Sequence, residues 1–318
     1  MRAWLFIFGV PMATLVGAEP APPPPKPAQT PSADDLYEAG KEMFDEYAPA
    51  EIKEQFDFPS HEQWDAFATR LQQALDQEDL TALGKYESEA RAALLALRIL
   101  PGYEDYADWL GVRLDYIQAA KLAGKTPSTR PPVLGPGPKL TPDGASIPYY
   151  DLWISRMRSR PRPARAAALM PILETAFKAE GVPSELAWLA EAESTLDPAA
   201  RSPSGAKGLF QLMPTTAKSL GLSTLMPDER ADAEKSARAA ARYLKALYGK
   251  FGDWPLAFAA YNAGEGRVRR LLTARKAQNF SEVSSALPSE TRMYVPKVCA
   301  TIAVRAGVAP EKIPAPRG

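Results

Sequence analysis

The stretch Glu193-Ser194-Thr195-Leu196-Asp197-Pro198, with Gly205-Ala206-Lys207-Gly208-Leu209-Phe210-Gln211-Leu212-Met213-Pro214 a few residues later, decides the fold of this chain. A carboxylate stands at the end of an apolar segment, directly before a polar loop that contains two glycines. Glycine adopts backbone conformations closed to other residues and lets a ligand or another strand come close. The order of these features predicts a desolvated acid beside an open groove.

The segment 183–193 has the pattern of a helix that ends in this acid. Pro183 suits the first helical turn, where its missing N–H is not needed. Apolar residues at helical spacing form a buried stripe that Glu193 continues; they are Leu186, Leu189 and Ala190. Because burial disfavours the charged form of a carboxyl, it raises the pKa of Glu193 and keeps this residue protonated near neutral pH, as a general acid requires.

The other carboxylates nearby are weaker candidates. Glu191 is rotated about 200° from Glu193 on a helix of 3.6 residues per turn and points away from it, and Glu185 also lies off the stripe. Asp197 belongs to the predicted helix stop, because the residue before Pro198 avoids the α region. The alternative is that Glu193 itself forms a cap or a salt bridge, as charged residues beside apolar stripes usually do.

Two later segments carry further polar groups. Asp253-Trp254-Pro255 opens a helix with Asp253 as its N-cap, and the helix ends at Asn262-Ala263-Gly264. Tyr261 and Asn262 then lie at an exposed helix end, where a hydroxyl and an amide can meet a sugar. The alternative is a buried tyrosine and a capping asparagine.

The second of these segments is a helix that begins near Pro288-Ser289-Glu290 and in which Pro296 can introduce a kink. Its core face carries Tyr294, which spacing alone marks only as a core residue.

Three segments together resemble the lysozyme-like domain of the lytic transglycosylases, enzymes that cut the glycan strands of bacterial peptidoglycan. They are residues 193–214, Ala260-Tyr261-Asn262-Ala263-Gly264 and Glu290-Thr291-Arg292-Met293-Tyr294-Val295. The resemblance covers about residues 149–306, and the run 153–183 is most similar to the membrane-bound D-type branch. It implies an all-α fold in which a lysozyme-like catalytic domain, residues 149–307, is preceded by a smaller helical domain.

The resemblance also implies a mechanism with one catalytic carboxyl, Glu193. This residue protonates the oxygen between N-acetylmuramic acid and N-acetylglucosamine and then deprotonates the muramic 6-hydroxyl, which closes a 1,6-anhydro ring. Standard glycosidases instead place two carboxylates around the bond. Two alternatives stay open: a goose-type lysozyme-like hydrolase on the same fold, and a non-catalytic peptidoglycan-binding or scaffold protein.

Supporting roles follow from the same resemblance. Tyr294 is expected to orient the catalytic carboxylate and Ser202 to lie near the N-acetyl group. The positions expected to contact the substrate are Gln211, Met213, Tyr261 and Asn262. Glu290 and Arg292 are expected to hold the groove together. The sequence departs from many relatives at Glu265, where proline is common, and at Leu196, where an aromatic residue is common, and these changes concern fine specificity.

The first 18 residues have the pattern of a secretory signal peptide. Arg2 gives a positive start, an apolar stretch follows, and Val16-Gly17-Ala18 supplies the small residues of a cleavage site. The stretch contains Pro11 and is shorter than the roughly 20 apolar residues of a membrane span. Residues 1–18 contain no cysteine to carry a lipid. We therefore expect an exported, periplasmic, soluble protein that is not a lipoprotein; an uncleaved anchor is the alternative.

Composition excludes several classes of function. The chain of 318 residues has 38 basic and 38 acidic residues, and loss of residues 1–18 changes the formal net charge from 0 to −1. Such a balance gives no electrostatic reason to expect binding to nucleic acid. Cys299 is the only cysteine and His61 the only histidine, so we expect no intramolecular disulfide, no metal site and no cofactor.

The remaining segments divide the chain further. Residues 19–33 are rich in proline and alanine and expected to be disordered, 34–125 form a helical N-terminal domain, 126–148 are a Pro/Gly-rich linker, and 308–318 are a C-terminal tail. The N-terminal helices could bind a cell-wall assembly partner, shape one end of the glycan groove, or pack on the catalytic domain. The sequence leaves these three roles open.

Overall fold

The computed structural model of the chain describes residues 61–77, 80–99, 104–125, 147–202 and 204–317. These residues form helices joined by loops and contain no β-strand, only isolated bridges that pair Lys207 with Arg201 and Leu212. The prediction of an all-α fold is confirmed for them. The expectations for residues 1–18, 19–33 and 34–60, and for almost all of the 126–148 linker, lie outside the described residues.

The helices fall into two groups. The first group comprises α1 (His61–Asp76), α2 (Leu80–Leu83), α3 (Glu87–Ile99) and α4 (Glu104–Lys125). The second comprises α5 (Tyr150–Arg158), α6 (Ala166–Ala179), α7 (Leu189–Ser194), α8 (Pro214–Ser219), α9 (Ala233–Phe251), α10 (Trp254–Ala263), α11 (Glu265–Arg275), α12 (Phe280–Val283) and α13 (Ser289–Ala306). Short 3₁₀ turns lie at Gly84–Tyr86, Ser184–Trp188, Glu229–Ala231, Ser284–Ala286 and Pro310–Lys312. None of the helices in the described ranges combines the length and apolar character needed to cross a membrane.

Helix α13 is the centre of the second group. It packs against α5, α7, α10 and the turn Ser184–Trp188, and almost all of its residues from Ser289 to Ile302 are buried. The helix continues through Pro296 to Ala306 and ends at Gly307, whose φ of 73° suits a glycine C-cap. Because the helix is buried on every side, and its buried residues include polar ones such as Glu290 and Lys297, its sequence shows only a weak amphipathic pattern.

The helix predicted over 183–193 has two parts. A 3₁₀ turn, Ser184–Trp188, leads into α7, and the residues from Leu186 to Ala192 are buried on all sides rather than along one stripe. The predicted helix stop at Asp197-Pro198 is wrong in position, since α7 already ends at Ser194. Thr195 and Leu196 take φ values of 55° and 61°, and the Leu196 N–H donates to the Ala190 carbonyl at 3.3 Å. This left-handed cap satisfies the last carbonyls of the helix.

The first group of helices packs directly on the second. Helix α4 contacts α2 and α3 on one side and α5, α7 and α13 on the other, so its buried side chains join one continuous core. At the start of α13 the Ser289 N–H donates to the Gln77 carbonyl at 2.7 Å. Of the three roles left open for the N-terminal helices, the structure shows this packing.

Candidate active site

Glu193 lies in the last turn of α7, where its carboxyl faces α13. The Tyr294 hydroxyl donates to Glu193 Oε1 at 2.6 Å. Tyr294 is only 1% exposed, whereas Glu193 is partly exposed. The carboxyl is therefore held from the protein side by a rigid buried donor and remains open to solvent on the other side.

The surroundings of Glu193 change its protonation. Burial raises its pKa from 4.5 to about 7. The hydrogen bond from Tyr294 and the charge of Arg113 oppose this rise by favouring the ionised form, whereas the charge of Glu290 adds to it. The raised pKa expected from the apolar helix is thus present. Near neutral pH both the acid and the carboxylate are populated, so the same group can give a proton and later take one.

The loop between α7 and α8 forms one side of the site, and Gly208 sets its path. Ser202 Oγ accepts the Ala206 N–H at 2.9 Å, and the Gly208 N–H donates to the Ala200 carbonyl at 2.8 Å. Gly208 has a φ of 81°, and a Cβ there would lie 2.0 Å from the Arg230 carbonyl oxygen. Only glycine permits this approach.

Arg230 holds the same loop from behind. Its guanidinium donates to the Gly205 carbonyl at 2.7 Å and to the Leu212 carbonyl at 3.0 Å, and Asp228 accepts from it at 2.8 and 3.0 Å. Hydrogen bonds from Arg230 lower the pKa of Asp228 to about 2, so this ion pair persists throughout the neutral range. Nothing in the sequence marked Arg230, because the two loop carbonyls to which it donates lie 18 and 25 residues away.

The groups expected to contact sugar hold the loop and helix ends together. Gln211 Nε2 donates to the Ala200 and Gly208 carbonyls at 3.1 and 3.0 Å. The Tyr261 hydroxyl donates to the Phe210 carbonyl at 2.8 Å. Gln211 and Tyr261 are both partly exposed. Their polar atoms therefore fix the shape of the groove, and their outer surfaces remain accessible.

Asn262 and Met213 complete the set. Asn262 Oδ1 accepts from the Thr291 hydroxyl at 2.7 Å, which ties the end of α10 to the start of α13 rather than capping α10. Met213, directly before α8, is 40% exposed and presents an apolar surface next to the loop. Of the predicted site residues, the structure brings Glu193 and Tyr294 into direct contact. Tyr261 is near enough to Glu193 for the two to interact electrostatically: burial raises the pKa of the Tyr261 phenol, and the charge of Glu193 raises it further.

The neighbouring carboxylates have other partners. Glu191 is buried and forms a two-pronged pair with Arg305, at 2.7 and 2.9 Å. Glu290 pairs with Arg113 at 2.9 Å, and Asp197 accepts from the Ala199 N–H at 3.1 Å. Within the described ranges, no group of three or more His, Cys, Asp and Glu side chains could hold a metal ion. Glu191 and Glu290 are thus paired with arginines, whereas Glu193 accepts its hydrogen bond from a neutral hydroxyl.

Residues 170–284 match the family described as the transglycosylase SLT domain. The membrane-bound lytic murein transglycosylase D of Escherichia coli (strain K12) is 40% identical over 140 residues, which are 43% of this chain and 31% of that protein. The soluble lytic murein transglycosylase of Salmonella typhimurium (strain LT2) is 39% identical over 120 residues, which are 35% of this chain and 19% of that protein. The chain therefore aligns with less than a third of the length of either relative.

Among solved structures, the 70 kDa soluble lytic transglycosylase SLT70 of Escherichia coli aligns with 89% of this chain and 59% of its own at 19% identity, with a TM-score of 0.40. The matched family segment lies inside residues 149–307, for which the sequence predicts the catalytic domain. It includes Glu193 and the loop that follows, while Tyr294 lies ten residues beyond its end. Residues 170–284 are thus similar to the transglycosylase SLT domain, and this similarity includes the segment that carries Glu193.

Proposed function

We propose that this protein is a peptidoglycan lytic transglycosylase that cleaves the β-1,4 bond between N-acetylmuramic acid and N-acetylglucosamine and leaves 1,6-anhydro ends. The observation that carries the proposal is the Glu193 carboxyl, which has a pKa of about 7, is held at 2.6 Å by the buried Tyr294 hydroxyl and lies in the segment similar to the SLT domain. A carboxyl of this kind can donate a proton at neutral pH, which an ordinary surface glutamate cannot.

The first step uses the protonated form. Glu193 donates its proton to the glycosidic oxygen as the bond from that oxygen to the muramic anomeric carbon breaks. Positive charge then develops on the sugar ring. The Tyr294 hydroxyl continues to donate to Oε1 and stabilises the carboxylate that forms. This hydrogen bond also keeps the carboxyl in position beside the leaving oxygen.

The second step uses the carboxylate produced by the first. Glu193 takes the proton of the muramic 6-hydroxyl while that oxygen bonds to the anomeric carbon, so the ring closes and Glu193 is protonated again. No water is consumed, and no metal or cofactor is needed, because one carboxyl gives its proton to the leaving oxygen and takes a second proton from the 6-hydroxyl. The engagement of Glu191 and Glu290 with arginines supports a mechanism with one acid.

The groove residues take supporting roles in this proposal. Ser202 lies near the N-acetyl group, and the substrate contacts are Gln211, Met213, Tyr261 and Asn262. Their accessible surfaces and their bonds to the loop and helix ends support the assignment, since a wall with fixed polar atoms holds a sugar with little loss of side-chain freedom.

We further propose that the protein acts on murein in the cell envelope. The names of the relatives describe murein transglycosylases of membrane-bound and soluble kinds, and that chemistry fits the site described above. A non-catalytic glycan-binding protein would have no use for a carboxyl whose ionised form is disfavoured by burial.

The proposed role of Glu193 predicts a pH dependence. Because the reaction starts with protonated Glu193, the rate of fragment release from purified sacculi is expected to fall about tenfold for each pH unit above about 7. The measurement is the initial rate of release of soluble fragments across the neutral range, with circular dichroism at each pH to show that the protein stays folded. A rate that increases steadily as the pH rises through this range contradicts the assignment of Glu193 as an acid.

A further inference from the structure

We propose that Arg113, carried by the N-terminal helix α4, is a positioning residue for Glu193 that acts through the carboxylate of Glu290. The N-terminal helices are then part of the catalytic apparatus rather than an appended module. The inference rests on the proposed function of Glu193.

The contact itself joins two parts of the chain that are far apart in sequence. Arg113 Nη2 donates to Glu290 Oε1 at 2.9 Å, and the two side chains are 13% and 11% exposed. The Arg113 guanidinium also lies over the Trp109 ring, 5.0 Å from its centroid, which fixes the orientation of its plane. Glu290 is one helical turn before Tyr294 on the same face of α13, so a bond that fixes Glu290 also fixes the turn that carries Tyr294.

A second ion pair fixes α4 on the other side of Tyr294. Asp115, two residues after Arg113, lies 3.6 Å from the Lys297 ammonium, and Lys297 is three residues after Tyr294. Lys297 Nζ also donates to the Ala192 carbonyl at 3.2 Å, next to Glu193. The two pairs between α4 and α13 therefore lie before and after the hydroxyl that holds the catalytic carboxyl.

The charges on these residues act on Glu193 in opposite directions. Arg113 favours its ionised form, and Glu290 disfavours it; after burial and the Tyr294 hydrogen bond, these are the largest influences on its pKa. Lys297 also favours the ionised form. From the other packed elements, Tyr261 on α10 and Tyr116 on α4 face the site as neutral phenols, because burial raises their pKa well above the ordinary value.

Arg113 is also placed at a cost to stability. Within the described part of the chain, its Nε–H is buried without a hydrogen-bond partner. A buried donor left unpaired loses its hydrogen bonds to water without replacement, which destabilises the folded state. A residue whose position served packing alone would gain from pairing this group, so the cost supports a role in the site.

The test compares three substitutions in the full chain. Arg113→Met removes the stabilising charge and leaves Glu290 unbalanced, so the pH at which activity falls is expected to rise by about 0.5 to 1 unit. Glu290→Gln keeps an acceptor for Arg113 but removes the opposing charge, so that pH is expected to fall by a similar amount. Arg113→Lys keeps the charge and should stay close to wild type. The matched control is Arg70→Met, which breaks an exposed pair between α1 and α3 and should not shift the pH profile.

The pKa of Glu193 can also be measured without turnover, by carbon-13 NMR of its carboxyl as the pH is varied. The signal is assigned by its absence from the spectrum of Glu193→Gln, and the pKa is expected to shift in the same directions as the activity profile. Opposite shifts for Arg113→Met and Glu290→Gln support the inference; shifts of the same sign, or none, overturn it. If Arg113→Met does not fold, the other two variants still test the inference. It then requires that the pKa of Glu193 falls in Glu290→Gln and stays unchanged in Arg113→Lys. If wild type releases no fragments at any pH, the proposed function fails, and the carboxyl titration alone decides the role of Arg113.

Discussion

Replacing Glu193 by glutamine is expected to lower the rate of glycan-strand cleavage by about 1,000-fold or more, within the range that general acid–base catalysis supplies. Glutamine has the same shape and still accepts the hydrogen bond from Tyr294, so the site should keep its geometry. It can neither give nor take the proton in the two proposed steps. The rate is measured as soluble fragments released from purified sacculi, and binding to the sacculi should be nearly unchanged.

The same substitution should stabilise the protein at alkaline pH. The pKa of Glu193 is about 7 in the folded chain and about 4.5 when unfolded, so wild type loses stability as the pH rises from the lower value through the higher one. The full shift corresponds to roughly 3 kcal/mol. Because Glu193 is partly exposed, solvent reduces this to about 1 to 2 kcal/mol. Urea unfolding should therefore show a larger advantage of Glu193→Gln at about pH 8 than at about pH 4.

Glu185→Gln is the matched control, since Glu185 lies on the turn that leads into α7 and accepts a weak bond from the Ser184 hydroxyl at 3.5 Å. This variant should cleave at the wild-type rate. Retention of more than about a tenth of wild-type activity by Glu193→Gln would show that another group can supply the proton, against the expected range.

Loss of the Asp115 carboxylate is expected to destabilise the fold by about 3 kcal/mol at neutral pH. Lys297 is only 2% exposed, and Asp115 lies 3.6 Å from its ammonium and pairs with Arg156 and Arg160 as well. Although burial alone would raise the pKa of Asp115, these cations hold it below the ordinary value. Asp115→Ala leaves the buried charge of Lys297 without its counter-ion. The measurement is the free energy of unfolding in urea.

The pH dependence of this loss has a defined sign. Burial lowers the pKa of Lys297 to about 8 in wild type, partly offset by Asp115. Without Asp115 the pKa of Lys297 falls further, so Lys297 can become neutral and the deficit of Asp115→Ala should narrow as the pH rises above neutrality. Adding Lys297→Met should recover part of the loss, because no unpaired charge then remains.

The control for this prediction is Glu89→Ala, which breaks the exposed pair with Arg70 at 2.8 Å and should cost less than about 1 kcal/mol. If Asp115→Ala costs no more than Glu89→Ala, the ion pair of Asp115 with Lys297 does not contribute to holding the two groups of helices together.

Local features of the sequence identified the centre of the site. The apolar residues before Glu193 and the two glycines after it are close in the chain, so spacing alone could predict a desolvated acid beside a turn. The prediction of one continuous helix over 183–193 missed the 3₁₀ turn, because residues buried on every side carry no periodic signal. The left-handed conformations of Thr195 and Leu196 were also missed, since neither residue type favours them.

Tertiary partners could not be predicted in the same way. Arg113 and Glu290 are 177 residues apart, and Tyr294 and Glu193 are 101 apart. Tyr294 was found through the family resemblance rather than through its spacing. The hydroxyl of Tyr261 was expected to face sugar, but it bonds to the Phe210 carbonyl. A tight loop leaves carbonyl groups that need donors, and side chains from neighbouring helices supply them.

The most direct test of the proposed reaction is the mass of the fragments that the protein releases from purified sacculi, with Glu193→Gln treated in parallel. Wild type is expected to release muropeptides with 1,6-anhydromuramic ends, which are lighter by one water than their hydrolysed counterparts, and the variant is expected to release none. Reducing ends from wild type would contradict the transfer to the 6-hydroxyl and indicate hydrolysis by water. Binding to sacculi without release by either protein would contradict catalysis by this site altogether.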